Sequence, residues 1–289
     1  MVKLFADTNS DISPEIAKEY GYSLISMPYC VDGKDIYPYV DYKTYDFHAF
    51  YDKLREGALP TTSAISEDEY FNYFEPVFKN GDDIFYVHFS RAMSATFTGM
   101  DKAVERLKSL YPERKFYEVD TKGITTLSYI ITREIGDLFL KGKTVEEVLK
   151  WAESEVDKFT LYFFADDLKF FKRSGRVTGL AATMGTLIGI RPIIYMNKDG
   201  QMENIGKEKG RNKAIYKLVS YVKELGEDIE NHRMIIGHTD AEDLAKEVRD
   251  ILLNEVNDKL NIEIAPVNPT AGSHCGPNGI GICFHAIHR

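Results

Sequence analysis

The sequence predicts an α/β protein of two α/β domains, the first with a mainly parallel sheet flanked by helices. Three observations carry that class. Short apolar runs alternate with amphipathic segments along all 289 residues. Several helical segments open on readable caps. The strand candidates end in polar residues, as strands do where an open α/β sheet collects its ligands.

In order, Val2–Asp7 reads as the first strand, and Ser13-Pro14 places a cap and a first-turn proline before a helix. Tyr22–Val31 reads as the next strand. Ser66-x-x-Glu69 then opens a helix through a capping box, and Asp83–Phe89 follows as a strand. Helical periodicity starts at about Ser94 and runs through Ala103, Val104 and Leu107. Phe116–Asp120 is a strand, Thr126–Leu140 a helix, and Thr144-x-x-Glu147 caps a charged helix reaching Asp157.

A break near Lys158 divides the chain into domains at 1–158 and 159–289. Beyond it, Leu161–Ala165, Pro192–Met196, Met234–Gly237, Ile262–Val267 and Ile282–Ile287 are strands. Thr239-x-x-Glu242 opens a helix through Leu260. The alternation predicts largely parallel sheets throughout. The segment AGSHCGPNGIG, Ala271–Gly281, reads as a glycine-rich bend between the last two strands, with His274 inside it.

Composition narrows the function classes. Hydrophobic residues at 44% and charged residues at 28% are ordinary for a globular chain. The apolar stretch around Leu180 to Ile190 is too short to span a bilayer, and no secretory signal is seen. Cys30, Cys275 and Cys283 have neither metal-ligand spacing nor an even-numbered framework, so a cytoplasmic setting is expected. A net charge of −9 disfavours nucleic acid as a partner. Yet Lys169–Lys213 carries ten Lys/Arg against three Asp/Glu, a basic segment in an acidic protein. It reads either as a site for an anionic ligand or acidic partner, or as helices bearing solvated lysines.

Motif by motif, nucleotide routes fall away. GDLFLKGKT has five residues between Gly136 and Gly142 and follows a helix, where a phosphate-binding loop follows a strand. No GxGxxG occurs. HFSRAMSATFTGM, His88–Met100, pairs a strand end with hydroxyls at a helix start, which can hold an anion or simply cap the helix. LPTTSAIS places three consecutive hydroxyls, Thr61 to Ser63, in a proline-led loop. FFKRSGRVTG sets Lys172, Arg173 and Arg176 around Gly175, and guanidinium forks suit carboxylate or phosphate.

A triad of Ser94, His274 and Asp7 is the enzymatic alternative, a serine-dependent lipid or acyl-ester hydrolase, but Ser94 lacks the G-x-S-x-G elbow. A phosphorylated-metabolite binder using the basic segment is the other. His238, Asp240, Glu242 and Asp243 fit a cap and a first helical turn better than a metal site, so no metal is expected.

These motifs, in order, resemble the DegV family of bacterial fatty-acid-binding proteins over essentially the full chain. The resemblance rests on DTNSDI, PTTSAIS, SRAMSATF, VDTKG, LKFFKRSGRV, GIRPII followed by DGQM, and SHCGPNGIG. It implies a long-chain fatty acid held between or within two α/β domains, without catalysis by the chain itself and without a cofactor. It also implies a partner kinase that phosphorylates the presented carboxylate.

Residue by residue, the resemblance makes Thr62, Ser94 and His274 the carboxylate ligands, and Arg173 and Arg211 contacts for acyl phosphate or partner, with Arg176 beside them. Tail-lining candidates are Met27, Phe89, Met93, Phe97, Leu168, Met184, Leu187 and Ile188. The chain departs from the family pattern at Ala95, at Ala64-Ile65 and at Asn278. Those changes leave the three head-group residues in place and bear on pocket shape and partner.

Overall fold

The computed structural model describes residues 1–180 and 189–289. Its first half is β1 (Val2–Asp7), α1 (Pro14–Tyr20), β2 (Tyr22–Ile25), β3 (Tyr29–Val31), β4 (Lys34–Ile36), α2 (Phe47–Arg55), β5 (Thr61–Thr62), α3 (Glu67–Lys79), β6 (Asp83–His88), α4 (Thr96–Leu110), β7 (Phe116–Asp120), α5 (Thr126–Leu140) and α6 (Val145–Glu155). There follow β8 (Phe159–Phe164), α7 (Leu168–Ser174), β9 (Val177–Thr178), β10 (Ile190–Met196), β11 (Met202–Lys209), α8 (Arg211–Leu225), β12 (Arg233–His238), α9 (Glu242–Glu255), β13 (Asn261–Pro266), α10 (Pro269–Cys275) and β14 (Ile280–His285).

The first sheet, in the order β2-β1-β6-β7, is parallel throughout. Its inner strands are buried on both faces, which is why Ile84, Phe85, Tyr86 and Val87 run on without alternation. The second sheet, β13-β12-β14-β8-β10-β11-β9, departs from the largely parallel expectation. Only β12 with β13 and β9 with β11 pair in parallel; β8, β10, β11, β12 and β14 otherwise meet antiparallel. Alternation of helix and strand in sequence does not fix pairing direction when a hairpin such as β10–β11 is present.

The segment expected as one strand, Tyr22–Val31, is two. β2 joins the first sheet, Pro28 supplies no N–H to continue the ladder, and β3 turns into a small sheet with β4 and β5. Caps at Ser13, Ser66 and Thr144 hold as read, the last two as full capping boxes. Thr239 does not cap α9. Asp240 adopts a left-handed φ of 57°, Ala241 takes the cap position, and the Thr239 hydroxyl accepts from the Gly279 N–H at 2.6 Å instead. α9 also stops at Glu255, short of Leu260.

α5 ties the two sheets together. Nine of its residues are buried, and it packs against β6 of the first sheet and β8, β12 and β14 of the second. One apolar core therefore runs from the first sheet through α5 to one face of the second. A separate core lies on the opposite face, under α8 and α9. No helix among the described residues is long and apolar enough to cross a membrane.

Candidate functional site

Three short elements meet at the mouth of a cavity enclosing about 980 Å³ of empty space, its opening included. Thr62 arrives on β5, whose two residues pair with β3. The Arg173 guanidinium steadies the approach to β5, donating to the Leu59 carbonyl at 2.7 Å and to the Pro60 carbonyl. Ser94 follows a 3-10 turn, Arg91–Met93, that ends before α4. Its hydroxyl accepts from the Thr96 N–H at 3.2 Å, which leaves its own hydrogen free to donate.

His274 lies in the last turn of α10, not in a bend. Asn268 caps that helix by accepting from the Ala271 N–H at 2.9 Å, and Pro269 occupies its first turn. The Asn-Pro pair was the sequence signal for it, obscured by the glycines that follow. Gly276 then ends the helix at φ 70°, where an added Cβ would stand 2.3 Å from the Phe170 ring. Asp11 anchors the same cap, accepting from Asn268 N and Nδ2 at 2.8 and 2.7 Å. Burial raises the Asp11 carboxyl to about 7.

His274 Nε2 and Thr62 Oγ1 are 3.0 Å apart and hydrogen-bonded, across 212 positions of sequence. Ser94 lines the same cavity. Burial, reinforced by the positive fields of Arg176 and Arg173, lowers the His274 imidazole to about 4, so the ring is neutral at pH 7. A neutral ring beside two hydroxyls and a guanidinium is a donor-rich mouth for an anion. Of the tail candidates, Met27, Phe89 and Met93 line the cavity, together with Leu161, Phe163 and Ile280, which the sequence reading did not single out. Phe97 and Leu168 are not among its lining residues, and Met184, Leu187 and Ile188 lie outside the described residues.

The arginines separate. Arg176 lines the cavity and donates to the Met93 and Ser174 carbonyls. Arg173 donates to the backbone of the β5 approach. Arg211 pairs with Asp166 at 2.6 Å, and Arg191 takes the other oxygen of the same carboxylate at 2.6 Å. Part of the basic segment is thus balanced by an acid just outside it.

The hydrolase triad is not assembled. Among the described residues His274 has no carboxylate partner, and Asp7 accepts from Tyr86 and the Phe89 N–H elsewhere. Of the acidic cluster, Asp240 pairs with Arg55 and His48, and His238 Nδ1 accepts from the Ala241 N–H. No cluster able to hold a metal is found among the described residues. The cavity also contains Asn9, Thr125 and Thr126, which the sequence reading passed over. Asn9 follows the carboxyl end of β1, a position that the strand-end rule points to.

A family model described as an uncharacterised protein of the DegV family matches residues 1–286. The chain belongs to the DegV family. A DegV domain-containing protein of Clostridium perfringens is 28% identical over 281 residues, covering 97% of this chain and 96% of that one. Among solved structures, a DegV family protein from Thermus thermophilus, described for its fatty acid binding, superposes with a TM-score of 0.84 at 22% identity, covering 99% of each chain. A stearic-acid-binding protein from Eubacterium ventriosum reaches 0.86 at 20%, covering 99% of this chain and 98% of that one. At these identities the DegV structures share the fold with this chain.

The departures from the family pattern have a local logic. Asn278 holds a φ of 64°, a left-handed conformation that asparagine tolerates, and its Oδ1 accepts from Arg55 at 3.1 Å. Ile65 is buried in the main core.

Proposed function

We propose that this DegV protein binds one long-chain fatty acid, with its carboxylate held by Thr62, Ser94 and His274 and its tail in the apolar cavity. The observation that carries the reading is the Thr62–His274 pair at 3.0 Å, set at the mouth of a cavity walled by Met27, Phe89, Leu161 and Ile280. Each buried methylene contributes roughly 0.8 kcal/mol, so a long tail binds tightly when its carboxylate keeps hydrogen bonds. Solved DegV relatives are described as binding fatty acids, which supports the same ligand here.

The chain itself acts as the non-catalytic carrier. A separate kinase subunit converts the presented carboxylate to an acyl phosphate, and the work is divided between two domains at 1–158 and 159–289. Arg176, at the mouth, is the arginine placed to meet a phosphoryl group; Arg173 and Arg211 are contacts for the partner. The three free cysteines suit a reducing, cytoplasmic setting.

The test is mass spectrometry of the purified protein, native and after organic extraction. One co-purified species at a fatty-acid mass is expected, and it should be absent from the Thr62→Ala/Ser94→Ala variant. Unchanged occupancy in the variant would remove the site assignment. If extracted wild type also fails to bind added palmitate and oleate, the lipid reading falls, and phosphorylated metabolites become the ligands to test.

A further inference from the structure

Away from the mouth, the cavity contains a polar station. Asn9, 6% exposed, lines the cavity, and among the described residues its Oδ1 is buried with no hydrogen-bond partner. Its main-chain carbonyl accepts from the Thr125 N–H at 2.8 Å. That contact places Asn9 beside the start of α5. Among the described residues no side chain caps this fifteen-residue helix, and its N-cap Thr125 and first residue Thr126 line the same space. First-turn N–H groups have no acceptor within their own helix. Thr125 and Thr126 are 7% and 1% exposed, whereas Thr62 and Ser94 are only half-buried, so the station is interior and the carboxylate residues are at the opening.

The two unmet demands are of opposite kind. Oδ1 of Asn9 requires a donor. At the start of α5 the Leu127 N–H already donates to the Ile124 carbonyl at 3.3 Å, which leaves the N–H groups of Thr126 and Ser128 without a main-chain acceptor among the described residues. A methylene satisfies neither, and a buried polar group left without a partner is costly. A second carboxylate offers oxygens but no hydrogen for Asn9, and would place a charge against Ile124, Leu161 and Ile280. A hydroxyl offers both functions on one atom.

We propose that Asn9 and the first turn of α5 form a second ligand subsite, for a hydroxyl carried on the acyl chain. Its O–H donates to Asn9 Oδ1 while its oxygen accepts from the helix start. This rests on the fatty-acid reading above and adds a substrate class to it: long-chain acids bearing one in-chain hydroxyl. Asn9 is then a specificity residue, separate from the groups that hold the carboxylate.

The experiment is a set of dissociation constants for stearate, for monohydroxystearates with the hydroxyl at successive positions, and for the unbranched α,ω-dicarboxylate of the same length. Wild type, Asn9→Leu and Asn9→Ser are compared. In wild type, one hydroxyl position should bind about tenfold more tightly than its neighbours, the factor that about 1.4 kcal/mol represents. Asn9→Leu should abolish that advantage, and Asn9→Ser should retain part of it. A flat positional series in wild type overturns the subsite while leaving fatty-acid binding intact. Preference for the dicarboxylate overturns it too, by assigning the station to an anion. If no acid of the set binds wild type, the underlying lipid reading fails and the subsite with it.

Discussion

At the mouth of the cavity, Thr62, Ser94 and His274 sit on a two-residue strand, after a 3-10 turn and on a seven-residue helix. The far wall is made of Leu161, Gly237 and Ile280 on six-residue strands, together with the first turn of α5. The mouth elements are too short to hold themselves. Single side-chain bonds to backbone carry them: Arg173 on Leu59 and Pro60, Arg176 on Met93, Ser90 on the Gly200 carbonyl at 2.7 Å. The wall belongs to continuous ladders and a helix buried between two sheets. The proposed carboxylate site therefore lies on the more weakly held elements, and substitutions in the two regions should move different observables.

The largest contrast is expected for Thr62→Ala/Ser94→Ala. Each hydroxyl bonded to a carboxylate is worth about 1.5–3 kcal/mol, so the pair should weaken fatty-acid binding about a hundredfold or more. Calorimetric melting of the ligand-free variant should fall only slightly, through loss of the Ser94–Thr96 and Thr62–His274 bonds. A large drop in melting temperature would mean that the mouth is structural as well, and the contrast would not stand.

Next comes His274, through pH. Folded, its ring stays neutral down to about 4, whereas the ordinary value is 6.5. Between those values the unfolded chain holds the extra proton, so stability falls as pH drops from about 6.5 towards 4. The loss is at most about 3 kcal/mol, from about 1.4 kcal/mol per pKa unit. His274→Gln should lack this fall. Asp7, raised by burial to about 6, and Asp11, to about 7, act in the opposite direction. They are common to both proteins and largely cancel in the difference. Urea unfolding of both at pH 7 and pH 4.5 measures it; parallel losses would show that the ring is not held neutral.

For the wall, Gly237→Ala places a Cβ 2.5 Å from Thr126 Cγ2, a β-branched side chain with little room to yield. Overpacking of this kind costs about 1–3 kcal/mol. The variant should melt earlier and, with Thr126 displaced, favour shorter acyl chains in a C12–C20 series. An unaltered chain-length optimum would place the tail elsewhere. The smallest effect is expected for Arg211→Ala. Its partner Asp166 keeps Arg191, and an exposed pair is worth about 0–1 kcal/mol, so affinity should change by no more than about fivefold. Arg173→Ala, which frees the approach to Thr62, should exceed it.

The sequence by itself determined the elements whose signals are local. Strands β1, β6 and β7 of the first sheet, the capping boxes at Ser66 and Thr144 and the helix Thr126–Leu140 all depend on neighbours within a few residues. Thr62, Ser94 and His274, proposed as head-group residues, came from the resemblance to the DegV family, and the structure places all three on one cavity. Tertiary structure alone decided the rest. The mixed pairing of the second sheet, the cap of α10 on Asp11, 257 residues away, and the bond between Thr62 and His274 join distant segments, which no local pattern encodes. The neutral state of His274 and the unpaired side-chain oxygen of Asn9, Oδ1, are decided there too. Both arise from burial, a property of what the whole chain packs around a group and not of the residues beside it.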